Sequence, residues 1–188
     1  MASRAYSDYL MPLLVDADNL IDSWALLSAN PASGSTIDCL LRATVIACVS
    51  AWEAYVEQLV LEAVNILRPK VSSQQWSVLN ATVRSAIGRF NTPNTDQVRG
   101  LISDAIGLQN IQKSWNWMSA TCEQAQNELR QVMEHRHEIA HGINPRPMID
   151  VHYAGHLPTF FDYLGRATDA AIREYLENVL SVPNPWPL

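Results

Sequence analysis

Apolar residues recur every three to four positions over most of this chain, and strict two-residue alternation is scarce. That period is the one a helix imposes on a buried face. The clearest case runs from about Thr36 to Leu67. Leu41, Val45, Cys48, Trp52, Tyr55, Val56, Leu59, Ala63 and Ile66 share one face there, while Arg42, Ser50, Glu53 and Glu57 gather on another. A face this wide suits the centre of a bundle. The helix would be on the order of 45 Å long and stop before Arg68-Pro69.

The same pattern predicts a first helix over roughly Ser3 to Ser28, broken by the Asn30–Ser35 stretch. Pro12 falls inside it and is expected to kink it or mark its start. Two shorter helices follow, Ser73–Phe90 and Thr95–Ile106, separated by NTPNT. The next runs from about Ser119, taken as its N-cap with Glu123 near the first turn, to His141, and Gly142 supplies a left-handed stop. Its inward stripe is Ala125, Leu129, Val132, Met133 and Ala140. After the stiff Asn144–Pro147 loop, the last helix is expected to begin near Leu157-Pro158 and end near Leu180. Its buried stripe is Phe161, Leu164, Thr168, Ala171, Ile172, Tyr175 and Val179. The expectation is an all-α, single-domain bundle of about five to six helices over residues 1–180. A proline-rich tail, residues 181–188, follows, with Trp186 packing on the chain's own bundle.

Composition adjusts this picture in three ways. Charged residues make up only 17% of the 188, below the usual share, so part of the apolar surface is expected to meet a partner. The net charge of −6 argues against a general nucleic-acid coat protein, which needs a broad basic face, but leaves room for a small phosphate site. Cys39, Cys48 and Cys122 form no C-x-x-C pair and lie in apolar helical contexts, so buried free thiols in a reducing compartment, the cytoplasm, are expected. The N-terminus lacks the pattern of a signal peptide. No uncharged apolar run reaches about 18 residues, so no membrane span is expected.

The chemistry concentrates in RHEIAHG, Arg136 to Gly142. Arg136 falls in the middle of an apolar stripe. A guanidinium does not deprotonate to escape burial, and an unpaired one is expensive. It must meet a carboxylate, for which Glu53 and Glu57 are candidates, or line a cleft open to an anionic ligand. His141 lies about 140° around an ideal helix from Arg136, but sits at the helix end, where the geometry can swing. The two would then converge on one phosphate, the guanidinium gripping oxygens and the imidazole moving a proton.

Arg136-x4-His141, with the polar His137 after the arginine and glycine after the histidine, resembles the motif of the HEPN superfamily. The stretch LLRATVIACVSAWEAYVEQLVLEA resembles the corresponding helix of the stand-alone bacterial RiboL-PSP-type branch. The resemblance spans about Leu20 to Leu180. It implies a metal-independent endoribonuclease without cofactors, in which two protomers face their motifs into one cleft. The RNA's own 2′-hydroxyl attacks the adjacent phosphate, leaving a 2′,3′-cyclic phosphate and a 5′-hydroxyl. It further implies Arg136 as charge stabiliser, His141 as general acid or base, and His137 as a positioning group. The implied setting is a toxin with a cognate antitoxin protein, or phage defence. Some family members are catalytically inactive and only dimerise or bind RNA or protein.

A competing match overlaps it. His137-Glu138-x-x-His141 is H-E-x-x-H, a zinc-peptidase helix signature, but no spacing singles out a third ligand among His152, His156, Glu174 and Glu177. Blander readings apply elsewhere: Arg136 as a structural ion-pair partner, His135 as a surface or interface residue, Trp52 and Tyr55 as core. Lys113, with Trp115 and Trp117, and Arg146 are further candidates for RNA contact, against a helix start, a dimer seam or a solvated loop.

Overall fold

The computed structural model describes residues 2–29, 37–142 and 147–186. Among them are six α-helices: α1 (Met11–Ser28), α2 (Asp38–Leu67), α3 (Ser73–Ile87), α4 (Thr95–Ile106), α5 (Cys122–Ala140) and α6 (Val151–Asn178). The only strand-like pairing there is a single bridge between Trp117 and Ala120. The protein is an all-α bundle, as its periodicity indicates.

Helix α2 is the centre of the bundle and packs against α1, α4, α5 and α6. Trp52, Tyr55, Val56, Leu59 and Val60 are wholly buried along it. Burying an indole or a phenol costs less when its polar end finds a partner. Trp52 Nε1 donates to the carbonyl of Pro93 (2.9 Å), and Tyr55 Oη donates to the carbonyl of Gly165 (2.9 Å). Trp115 stands edge-on to Trp52 and donates its own Nε1 to Thr168 Oγ1 (2.9 Å). Gly165 also lets the N-terminal helix come close. A methyl there would lie 2.3 Å from Leu10 Cδ2.

Pro12 marks the start of the regular α-helix, as its second residue, but the helical segment reaches further back. The chain is helical from Arg4 and widens to a π turn over Tyr6–Leu10, where the Met11 N–H bonds to the Tyr6 carbonyl. Proline cannot donate a backbone bond, and one wider turn just before it absorbs the mismatch. Ser3 donates its N–H (2.9 Å) and its hydroxyl to the buried Asp169, which anchors the first turn to α6.

Several expectations change. Helix α5 is capped by Thr121, not Ser119: Thr121 Oγ1 accepts from Gln124 N–H and Gln124 Oε1 accepts from Thr121 N–H. Helix α6 begins at Val151 rather than near Leu157-Pro158, because Asp150 Oδ1 accepts from the N–H groups of His152 (2.8 Å) and Tyr153 (3.1 Å). Pro158 is carried buried inside the helix. Ala140 and Val179 are exposed, since each falls where its helix runs out beyond the core. All three cysteines are free thiols, but only Cys48 is buried; Cys39 is exposed and Cys122 half-buried. Burial pushes the Cys48 thiol up to about 12, so it stays protonated.

The segment Asp38–Lys70 has the length and mean hydropathy that a membrane span would need, although charged residues such as Arg42 and Glu53 interrupt it. Its most apolar stretch is half buried inside the protein and is the core face of α2. Trp115 is core rather than an RNA contact, and Trp117 stacks on Tyr163 with ring centroids 5.7 Å apart. Trp186 is buried against the bundle.

The reciprocal Thr121–Gln124 cap is the N-terminal anchor of the helix that carries RHEIAHG. Thr121→Ala is expected to cost about 1 kcal/mol, read as a fall in Tm of roughly 2–4 °C. Thr121→Ser, which keeps the hydroxyl, should stay near the parent. Equal melting of all three proteins would show that the cap contributes nothing.

Candidate active site on helix α5

Helix α5 presents three faces to different surroundings. Ala125, Leu129, Val132 and Met133 are buried toward the core, and Arg136 continues that side as a half-buried residue. On another side Glu128 pairs with His156 of α6 (2.8 Å), and the His135 ring stands edge-on to Tyr153 at 5.0 Å. Nδ1 of His135 is buried, so this histidine belongs to the α5–α6 seam rather than to the open surface. The third side carries Gln126, Arg130, Glu134, His137, Glu138 and His141, whose three-to-four-residue spacing aligns them in one row.

Arg136 meets Glu53 electrostatically without pairing with it. The ion pairs among the described residues join Arg99 to Asp96, His156 to Glu128, Arg166 to Asp162 and Arg173 to Glu177. Neither Glu53 nor Glu57 comes within ion-pair distance of Arg136. Burial raises the proton affinity of the Glu53 carboxyl, and the Arg136 charge opposes that only in part. Burial also raises Glu57, and the neighbouring Glu53 charge adds to it. Arg136 is therefore a half-buried cation whose donors are not consumed by the carboxylates beside it.

His141 does not swing out of helical register. Its N–H still bonds to the His137 carbonyl (3.0 Å), and the left-handed turn comes one residue later, at Gly142, where φ is +62°. The His141 ring consequently lies against the His137 ring, with centroids 4.3 Å apart. Both histidines are exposed. The structure brings His137 and His141 together and leaves Arg136 on the adjoining side of the helix, with no hydrogen bond between it and His141 among the described residues. As for the zinc signature, no third histidine, cysteine or carboxylate among the described residues joins the two histidines in a metal-holding group.

Lys113 is exposed on a short 3₁₀ turn, Ile111–Ser114. Arg146 lies outside the described residues. What sequence reasoning missed is a groove of about 670 Å³ between the start of α4 and the outer side of α5. Asn94 forms one wall; Gln126, Arg130, Glu134, His137 and Glu138 form the other. The row on α5 was visible in its spacing. Its opposite wall was not, because Asn94 is distant in sequence.

A family description, RiboL-PSP-HEPN, matches residues 14–174. No curated protein and no solved structure gives a significant match. The match takes in α2, the whole of α5 with Arg136, His137 and His141, and most of α6. The chain belongs to the RiboL-PSP-HEPN family, whose helical domain is an RNase-type or nucleotide-binding module.

Proposed function

We propose that this protein is a metal-independent endoribonuclease that cuts RNA by attack of a 2′-hydroxyl on the adjacent phosphate. The observation that carries the proposal is Arg136. It is half-buried and unconsumed by Glu53 or Glu57, and it lies within two turns of an exposed pair of imidazoles on the adjoining side of the helix. A guanidinium with free donors in a partly desolvated place is a site for the charge that develops on phosphoryl oxygens. An exposed imidazole next to it can take the proton of the 2′-hydroxyl or return one to the leaving 5′-oxygen. No electrons change hands and no co-reactant enters. One P–O bond forms, one breaks, and a proton moves from the 2′-oxygen to the 5′-oxygen.

Within the proposal, His141 is the proton-moving group and His137 positions it through ring contact. Glu53 is a positioning residue that biases the Arg136 side chain, and Glu57 sets the charge around Glu53. Lys113 and Arg146 remain candidates for outer phosphate contacts. Arg136 and His141 occupy different sides of one helix, so a single copy offers them to different parts of space. A homodimer that faces two α5 helices into one cleft would supply the missing partner groups. A toxin or phage-defence role in the cytoplasm, with a cognate antitoxin protein, belongs to the same proposal. A HEPN module that binds RNA or protein without cutting is the alternative, favoured by the separation of Arg136 from His141 in one chain.

Single-stranded RNA of mixed sequence should be cut in the presence of EDTA, leaving 2′,3′-cyclic phosphate ends. Arg136→Ala should lower the rate by about 10²–10³, and His141→Ala by about 10²–10⁴, with helical content unchanged by circular dichroism. Undiminished cutting by the His141→Ala protein would remove the mechanism.

Glu53→Gln tests positioning. It should slow cutting by roughly tenfold, equivalent to about 1.4 kcal/mol, less than loss of Arg136 itself. An unchanged rate would leave Glu53 a bystander.

Dilution tests the shared cleft. The rate per molecule should fall as light scattering shows the dimer dissociating, and a monomer of full activity would contradict it.

A further inference from the structure

The groove beside the histidines is unsuited to phosphate. Asp96 on its rim is neutralised by Arg99 (3.0 Å), but Glu134 and Glu138 have no ion pair among the described residues, and Arg130 is the one arginine in the lining. Two unneutralised carboxylates repel a phosphodiester. They are instead good acceptors for N–H groups. The remaining lining is what a flat heterocycle needs. Met133 supplies an apolar side chain at its base and is nearly buried. The His137 imidazole and the Arg130 guanidinium are planar groups on which an unstacked base can lie. Asn94 and Gln126 bring amide groups to the same cavity. Asn94 Oδ1 already caps α4 through the Gln97 N–H (2.9 Å), and Gln126 Nε2 donates to the Cys122 carbonyl (3.0 Å), so both side chains are held in place.

The groove is continuous with the proposed centre. His137 lines it and also touches the His141 ring, 4.3 Å between centroids. A nucleotide whose base occupies the groove therefore has its sugar and phosphate beside His141.

We infer that the α4–α5 groove is a base-recognition subsite of the same centre, and that it selects guanine. The inference rests on the ribonuclease reading for its place in catalysis. Among the four RNA bases, guanine alone presents two adjacent N–H donors, N1–H and N2–H, on its Watson–Crick edge. One carboxylate can accept both at once. Uracil offers a single N–H flanked by carbonyl oxygens, which a carboxylate repels. Glu134 and Glu138, one turn apart on α5, place two such acceptors along the groove. The stacking groups tolerate any base, and the carboxylates carry the discrimination.

Four short single-stranded RNAs, identical except for G, A, C or U at one position, test the inference. The intact protein should cut next to G at least about fivefold faster than next to U, since a two-bond base contact is worth roughly 1–3 kcal/mol of discrimination. In the Glu134→Gln/Glu138→Gln protein the G-to-U ratio should fall toward one, through loss of cutting at G. Both side chains line an open groove on the outer side of α5, and circular dichroism checks the fold. Binding by fluorescence anisotropy, using RNAs with a 2′-deoxyribose at the scissile position so that no attack is possible, gives a second readout. The G form should bind more tightly than the U form, and the difference should vanish in the double variant. A protein that cuts all four RNAs equally, or a double variant that keeps the parental preference, would overturn the subsite and leave the nuclease standing. A protein that cuts nothing yet binds the G form selectively would leave the subsite standing and remove the nuclease. Absence of both cutting and G-selective binding would remove both.

Discussion

The arrangement depends on how α2 satisfies the polar ends of its buried aromatic residues. Trp52 and Tyr55 are fully enclosed, and an unbonded indole N–H or phenol in that interior would cost about 1–3 kcal/mol each. Their partners are backbone carbonyls of other segments, Pro93 and Gly165. The Trp52 bond fixes the residue just before Asn94, and Asn94 is both the N-cap of α4 and one wall of the groove. The Tyr55 bond fixes α6, while α5 packs on α2 itself and touches α6 through Glu128–His156 and the His135–Tyr153 ring contact. One wall of the candidate centre is thus set by a hydrogen bond from the central helix, and the other by direct packing of α5 on that helix.

The second constraint is angular. A five-residue spacing turns an ideal helix by about 140°, and the hydrogen bond from His141 N–H to the His137 carbonyl keeps that rotation intact. RHEIAHG therefore distributes its chemistry. Arg136 points along the side that α5 shares with α2, where Glu53 waits, and the histidines point along the side that borders the groove. Under the proposed mechanism, a motif split in this way is incomplete within one chain. If the proposed centre is correct, it is completed either by a ligand that wraps the helix end or by a second copy that holds the scissile phosphate between two α5 helices.

Much of this was legible locally. Helices α2 and α4 follow directly from periodicity and from the turn residues that bound them, and Gly142 marked the end of α5 because a left-handed residue there favours glycine. Errors arose where two local signals competed. Ser119 and Thr121 are both acceptable N-caps, and the choice was decided by Gln124, three residues after Thr121, rather than by Glu123. Pro158 read as a helix start, but Asp150 supplies a stronger one upstream and the helix absorbs the proline. Other features were invisible in principle. Whether Arg136 reaches ion-pair distance of Glu53 depends on the separation of α2 and α5, which no spacing within either helix encodes. The exposure of Cys39 and Cys122 likewise depends on which elements happen to cover them.

The acidic character of the chain fits a division of labour in RNA recognition. A protein that grips RNA mainly through phosphates needs many cations, and its affinity collapses as salt rises. A net charge of −6 argues against that manner of binding for this chain. If the proposed centre is correct, Arg136 addresses the single phosphate where charge develops, and the carboxylates of α5 address a base. The same negative charge that would repel a long RNA backbone then becomes the element that reads sequence, because a carboxylate accepts from a base edge only where donors face it. Acidity and ribonuclease chemistry are compatible on these terms, provided the RNA enters as a short unpaired segment with its base turned into the groove.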